Sequence, residues 1–155
     1  MKHLERVLGI TLAAVVLTGC GARENQGTEI RLNPDKPVSL TIWHYYNGAQ
    51  QATFNALVEE FNATVGKERG IYVEGYSQGS VSDLEKAVTS AMKGEIGAGS
   101  LPDIFSSYAD TAYSVQQSGQ IADLSLYFSE EELSEYVDSY IQEGYFNEDD
   151  ALYLM

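Results

Sequence analysis

Cysteine is almost absent from this chain. Cys20 is the only one in 155 residues, so no intrachain disulfide can staple the fold and no thiolate pair can hold a metal. Histidine is nearly as scarce: His3 and His44 are the two, with no H-x-x-x-H spacing and no cysteine partner, and no metal site is expected from them. Basic residues are few, 9 Lys and Arg against 23 Asp and Glu, for a formal net charge of −14. No cluster of them could neutralise a run of phosphates, which sets nucleic acid aside as a partner. Phosphate-binding loops are missing too, since G-x-x-x-x-G-K-[ST] does not occur and GEIGAG follows a helix-like run instead of a strand. The apolar stretch VLGITLAAVVL, residues 7–17, is too short to span a bilayer.

What is present begins with that stretch. Lys2 and Arg6 precede it and LTGC, residues 17–20, closes it with small residues, which is the arrangement of a secretory signal. LTGC also resembles the bacterial lipobox, whose cysteine is acylated and becomes the mature N-terminus. Residues 1–19 are therefore expected to be a lipoprotein signal peptide and Cys20 the lipid attachment site, holding the protein on the extracytoplasmic face of the bacterial cell membrane through two or more acyl chains. Residues 20–37, polar with Gly, Asn and two Pro, read as a flexible tether.

From residue 38 strand-like and helix-like patterns alternate. VSLTIWH (38–44) is β-rich, and Phe54, Leu57, Val58, Phe61 and Val65 then fall on one helix face, closed by Gly66 and Gly70. IYVEGY (71–76) predicts a second strand, and Leu84, Ala87, Val88, Ala91 and Met92 a second helix with an S-x-x-E capping box at Ser82 and Glu85. DIFSSY (103–108) predicts a third strand and DTAYSVQQSG (110–119) a short helix. Ser129 and Glu132 form another capping box, opening a helix expected to bury Leu133, Tyr136, Val137, Tyr140 and Ile141. The acidic EEEL after Ser129 suits the positive end of that helix. Short links between alternating elements predict an α/β fold, a parallel sheet with helices on both faces in three layers. With 44% apolar residues and eleven Tyr, residues 38–155 suit one packed domain. The apolar ending ALYLM reads as the point where a longer domain is cut.

Gly75, Ser77 and Gly79 spell G-x-S-x-G, the pattern of a hydrolase nucleophile elbow. In that motif the helix begins immediately after the serine, and Asp or Glu and then His follow in the chain. Here the predicted helix begins near Ser82, five residues late, and the one histidine after residue 19 lies upstream. A surface-anchored serine hydrolase using Ser77 is thus the alternative from another class, and the expected protein is not an enzyme.

Ligands of open parallel sheets bind outside the carboxyl ends of the strands. Those ends are HYYNGAQQ (44–51), GYSQGS (75–80) and SSYADT (106–111), bringing Tyr45, Tyr46, Tyr76 and Tyr108 to Asn47, Gln50, Ser77, Gln78, Ser107 and Asp110. Flat rings cover the C–H face of a sugar while amides, hydroxyls and a carboxylate pair with its hydroxyl groups. A phosphate would call for Arg or Lys, and these loops contain neither. Plainer roles compete: Trp43 as a core aromatic, Asp110 as a helix N-cap, His44 as a structural histidine. Tyr45 and Tyr46, being adjacent, are expected to point to opposite sides.

LTIWH with its polar turn, EEFNATVG before GIYVEGY, LPDIFSSYAD and QSGQIADLS, in this order over about 115 residues, resemble the N-terminal part of an extracellular solute-binding protein of the carbohydrate-uptake ABC transporters, the group containing maltose-binding and glycerol-3-phosphate-binding proteins. The resemblance implies a two-lobed periplasmic-binding-protein-like fold, of which this chain would be roughly the first third. It implies a monomer that captures a sugar, closes on it and delivers it to the permease subunits without a cofactor. Its first ligand loop falls on Tyr45, Tyr46 and Asn47, and the loop after the third strand on Ser107, Tyr108, Asp110 and Thr111. Where maltose-type members carry a Trp and an Arg, this chain has Ser107 and Thr111, while Asp110 keeps the acid. Trp43 and His44 match a pair in glycerol-3-phosphate-type members, so an organophosphate is the alternative ligand.

Overall fold

The computed structural model describes residues 31–146 and 150–155. The expected signal peptide, Cys20 and the expected tether as far as residue 30 lie outside the described residues. Lys36 N–H donates to the Asn33 carbonyl at 2.9 Å, and the turn so formed leans on Gly70, whose φ of +77° ends a helix. Any side chain at 70 would meet the Asn33 carbonyl, so glycine is needed there for both shape and space.

Three strands make one parallel sheet in the order β2-β1-β3. The β-branched run of β1 (Val38–His44) pairs with β2 (Ile71–Ser77) over its whole length, from Val38 opposite Ile71 to His44 opposite Ser77. On the other side, Ile42 and Trp43 pair with β3, which is only Ile104–Phe105. The third strand is thus much shorter than the expected 103–108. Pro102 has no N–H to give a ladder, and at Asp103 the carboxylate takes over: its Oδ2 accepts from Thr41 N–H at 2.8 Å and from Thr41 Oγ1 at 2.9 Å.

Alternation along β1 sends Trp43 and His44 to opposite faces. On the Trp43 face, α3 (Val81–Met92) and α4 (Ala109–Gln117) bury Leu84, Val88 and Val115, against which Trp43, Tyr45, Met92 and Phe105 pack. The core-aromatic role for Trp43 is the one found. On the His44 face lies α1 (Gly48–Ala63), followed after a break at Thr64 by α2 (Val65–Arg69). Asn62 pins α1 to the sheet, its amide donating to the Val73 carbonyl and its Oδ1 accepting from Val73 N–H, both at 2.8 Å. These are the expected three layers.

Four local expectations are corrected. The capping box of α3 is Ser80 with Asp83, not Ser82 with Glu85: Gly79 at φ +96° turns the chain, Ser80 takes the extended N-cap conformation, and the Asp83 carboxylate reaches back to Ser80 N–H at 3.1 Å. The apolar stripe expected on one helix from Phe54 to Val65 is split at Thr64 and left partly open, since Leu57 of α1 and Val65 of α2 are exposed and no α1 residue is buried. The helix after Ser129 is two, α5 (Glu130–Leu133) and α6 (Asp138–Gln142). Its capping box with Glu132 forms as expected, but Ser134 Oγ turns back on the Glu131 carbonyl at 2.7 Å and Val137 goes extended, a competition typical of serine near a helix end. Of the residues expected to be buried there, Ile141 is, whereas Tyr136, Val137 and Tyr140 are exposed. Lastly, Asp110 is the second residue of α4 and the N-cap is Tyr108.

Leu152 is fully buried, its N–H donating to Asp123 Oδ1 at 3.2 Å and its carbonyl accepting from Leu124 N–H at 2.7 Å. No helix among the described residues is long and apolar enough to cross a membrane.

Candidate functional site

Parallel strands end at the same edge, so the order β2-β1-β3 sets the loop after β1 between the other two. At the usual spacing of about 4.8 Å between strands, the outer two ends lie roughly 10 Å apart, within reach of one small ligand. Backbone bonds tie both outer loops to the middle strand: Gln78 N–H donates to the His44 carbonyl at 2.8 Å, and Ser106 N–H to the Trp43 carbonyl at 2.9 Å.

In the middle loop, Tyr45 follows Trp43 toward the α3 side and Tyr46 follows His44 toward α1. The two rings were expected on opposite sides, and they divide between the two layers in this way. Their centroids nevertheless come within 5.3 Å, tilted by 56° to one another. Tyr46 stacks on His44 at 5.1 Å and tilts against Phe54 at 5.4 Å. Asn47 is the N-cap of α1; its side chain makes no capping bond and is exposed.

His44 is fully buried. Its Nδ1 accepts from Tyr46 N–H at 3.2 Å, while Nε2 has no hydrogen-bond partner among the described residues. The histidine is therefore structural but only half satisfied, and burial holds its pKa below the ordinary imidazole value.

Ser77 ends β2. Its hydroxyl donates to the Tyr46 carbonyl at 2.7 Å and its oxygen accepts weakly from Gly79 N–H at 3.3 Å. A nucleophilic serine gives its proton to a base. Here the proton is engaged by a backbone carbonyl, and the Nδ1 of His44 is engaged by a backbone N–H. The correction to the start of α3 shortens the distance from Ser77 to the helix, yet two residues still stand between Ser77 and the N-cap Ser80.

After β3, Ser107 is half-buried and donates to the Tyr108 carbonyl at 2.6 Å. The Tyr108 ring is exposed, and Asp110 Oδ1 accepts from Thr111 N–H at 2.7 Å with the rest of the carboxylate open to solvent. Tyr76, exposed on β2, sits beside Glu74, whose charge raises its pKa.

Each loop also borders a hollow. Tyr46 and Gln50 line a groove of about 410 Å³ that continues over Thr53, Phe54 and Leu57 of α1. Gln78 and Trp43 line another of about 420 Å³ with Ser90 and Glu95. Ser107 lines a third of about 270 Å³ beside Phe105 and Tyr153. Among the described residues no group of three or more His, Cys, Asp and Glu could hold a metal ion. Sequence reasoning missed the α1 groove, since Phe54 and Leu57 were read only as members of one helix face, and it missed the Asp103–Thr41 clasp, which leaves no pattern in the chain.

Solved structures with this fold are known. The cyclic alpha-maltosyl-1,6-maltose binding protein from Arthrobacter globiformis is similar at 25% identity and a TM-score of 0.54, over 68% of this chain and 25% of that one. A family 1 extracellular solute-binding protein from Bifidobacterium longum subsp. infantis is similar at 18% identity and a TM-score of 0.54, over 76% of this chain and 27% of that one. The described residues therefore have the fold of periplasmic-binding-protein-like extracellular solute-binding proteins, and the chain spans about a quarter of the length of these two. No family model matches the chain, and no curated protein matches it in sequence.

Proposed function

We propose that this chain forms part of an extracytoplasmic binding protein, anchored to the cell membrane by a lipid on Cys20, that captures a carbohydrate and delivers it to an ABC permease. The supporting observation is the common edge at which Tyr45, Tyr46 and Asn47 stand between Ser77 and the loop of Ser107, Tyr108, Asp110 and Thr111. Aromatic faces, amides, hydroxyls and one carboxylate in that order suit a neutral polyol. The similar Arthrobacter protein is a maltosyl-maltose binder by name, which agrees. Residues 44–51, 75–80 and 106–111 contain no Lys or Arg, so a neutral sugar is favoured over an organophosphate. The bonding of Ser77 to a carbonyl favours binding over hydrolysis.

In the mechanism that follows, the ligand settles first on this rim and a hinged second lobe closes over it; the permease then reads the closed form. A screen of melting temperature against mono-, oligo- and phospho-sugars tests it. A neutral sugar at ten times its Kd adds about 1.4 kcal/mol by mass action, a rise of about 5 °C for a domain of this size. A rise with phospho-sugars alone would transfer the reading to organophosphates, and no rise with any sugar at tens of millimolar would refute capture.

A further inference from the structure

The fully buried imidazole of His44 stands in an apolar box that a leucine would fill with no polar atom to satisfy. Tyr46 stacks on it at 5.1 Å and Phe54 of α1 tilts against it at 4.5 Å. Gly75 of β2 makes the box possible, for a Cβ there would lie 2.7 Å from Phe54 Cε1 and 3.6 Å from His44 Nε2. Leaving Nε2 without a partner is unfavourable, so the imidazole needs another explanation. Nδ1 provides one, as the acceptor for Tyr46 N–H at 3.2 Å. The carbonyl of the same residue accepts from Ser77 Oγ at 2.7 Å. Both backbone polar groups of Tyr46 are thus held from the sheet, one by β1 and one by β2.

We infer that His44 is a positioning residue for the ligand loop at Tyr45, Tyr46 and Asn47, holding the Tyr46 peptide through Nδ1 as long as the imidazole is neutral, with Ser77 as the second half of the same clamp. This rests on the reading of that loop as a ligand loop. Accepting at Nδ1 requires the proton to sit on Nε2. A second proton would put two N–H groups face to face at Nδ1, and among the described residues no carboxylate is at hand to stabilise the cation. The groups against the ring are Tyr46 from its own loop, Phe54 from α1 and Gly75 from β2. The titratable residues flanking Gly75, Glu74 and Tyr76, are on the exposed face of β2. Burial lowers the His44 pKa in the fold, so the clamp is intact above the ordinary histidine value of about 6.5 and opens as pH falls through the lower folded value.

Two measurements on the chain test this without any ligand, so their failure is distinct from failure of the sugar screen. Nitrogen NMR of the imidazole should show the proton on Nε2 at neutral pH, and the Tyr46 amide, corrected for intrinsic exchange, should lose hydrogen-exchange protection on acidification in step with His44. His44→Leu should keep the fold and speed Tyr46 exchange roughly fivefold, the worth of one hydrogen bond. His44→Asn, whose Oδ1 replaces the acceptor, should restore protection and abolish the pH dependence. A neutral tautomer protonated on Nδ1 would overturn the proposal, and so would unchanged Tyr46 protection in a folded His44→Leu variant. If neither variant folds, the wild-type tautomer and pH profile decide alone.

Discussion

Replacing Asp103 tests whether a side-chain clasp stands in for the strand that β3 barely forms. One carboxylate oxygen accepts from both Thr41 N–H and Thr41 Oγ1, and Asp103 N–H returns a bond to Thr41 Oγ1 at 3.2 Å. These bonds hold the carboxyl below the usual aspartate range. Hydrogen bonds to a charged group contribute about 1.5–3 kcal/mol each when shielded; Asp103 is exposed, and screening reduces the pair to roughly 1–2 kcal/mol in total. Asp103→Ala should lower the melting temperature by about 5 °C at pH 7, and Asp103→Asn, which keeps an acceptor, by about half as much. Because the folded pKa is depressed, this stabilisation is complete above the unfolded value of about 3.9 and is lost as pH falls through the folded value. Melting curves of wild type and Asp103→Asn followed by circular dichroism from pH 7 downward should therefore converge once the pH has fallen below the depressed folded value. Equal melting temperatures at pH 7, or a gap that persists undiminished at the lowest pH, would refute the clasp as a source of stability.

Asn62→Ala removes both bonds that join α1 to Val73 and should cost about 1–3 kcal/mol, read as a lower midpoint in urea with unchanged slope. Asp110→Ala should weaken the change in tyrosine or tryptophan emission on adding the sugar; unchanged affinity would remove Asp110 from the site. Cys20→Ser should shift the expressed protein from the membrane fraction to the soluble one, and retention in the membrane would count against the lipid anchor.

The layers were legible because periodicity reports burial directly. In β1, VSLTIWH is rich in the β-branched and aromatic residues that strands favour, and in α3 Leu84, Val88 and Ala91 recur at helical spacing and are the buried ones. Where two patterns compete for one end the sequence is ambiguous: Ser80 with Asp83 and Ser82 with Glu85 both spell a cap, and only the turn at Gly79 chooses. The helix after Ser129 failed for a different reason. Its apolar residues have helical spacing, but a stripe becomes a helix when there is a surface to bury it against, and Tyr136, Val137 and Tyr140 stand exposed. That the three strand-end loops share one edge was legible from the parallel order of the strands, which needs no side-chain detail. The clamp on Tyr46 was not, because its donor and acceptor are backbone atoms that every residue carries.

The two sides of the rim differ in how firmly they are held, and that difference bears on what each can contribute to binding. Tyr46 is fixed through its N–H, its carbonyl and its ring, all by partners in the sheet or α1. Beyond Ser106, the loop after β3 has local bonds, from Ser107 to the Tyr108 carbonyl and from Thr111 to Asp110, and Tyr108 is largely in solvent. A ligand meeting the Tyr46 side finds groups whose ordering entropy was lost on folding, so contacts there convert to affinity with little further cost. On the Asp110 side the backbone is already set by α4, and what the proposed sugar would have to order on binding are exposed side chains such as Tyr108, a cost that offsets part of each contact and would leave that side the more adaptable. Selectivity among sugars is then expected to change with residues 107–111, and overall affinity with the two side chains that hold Tyr46.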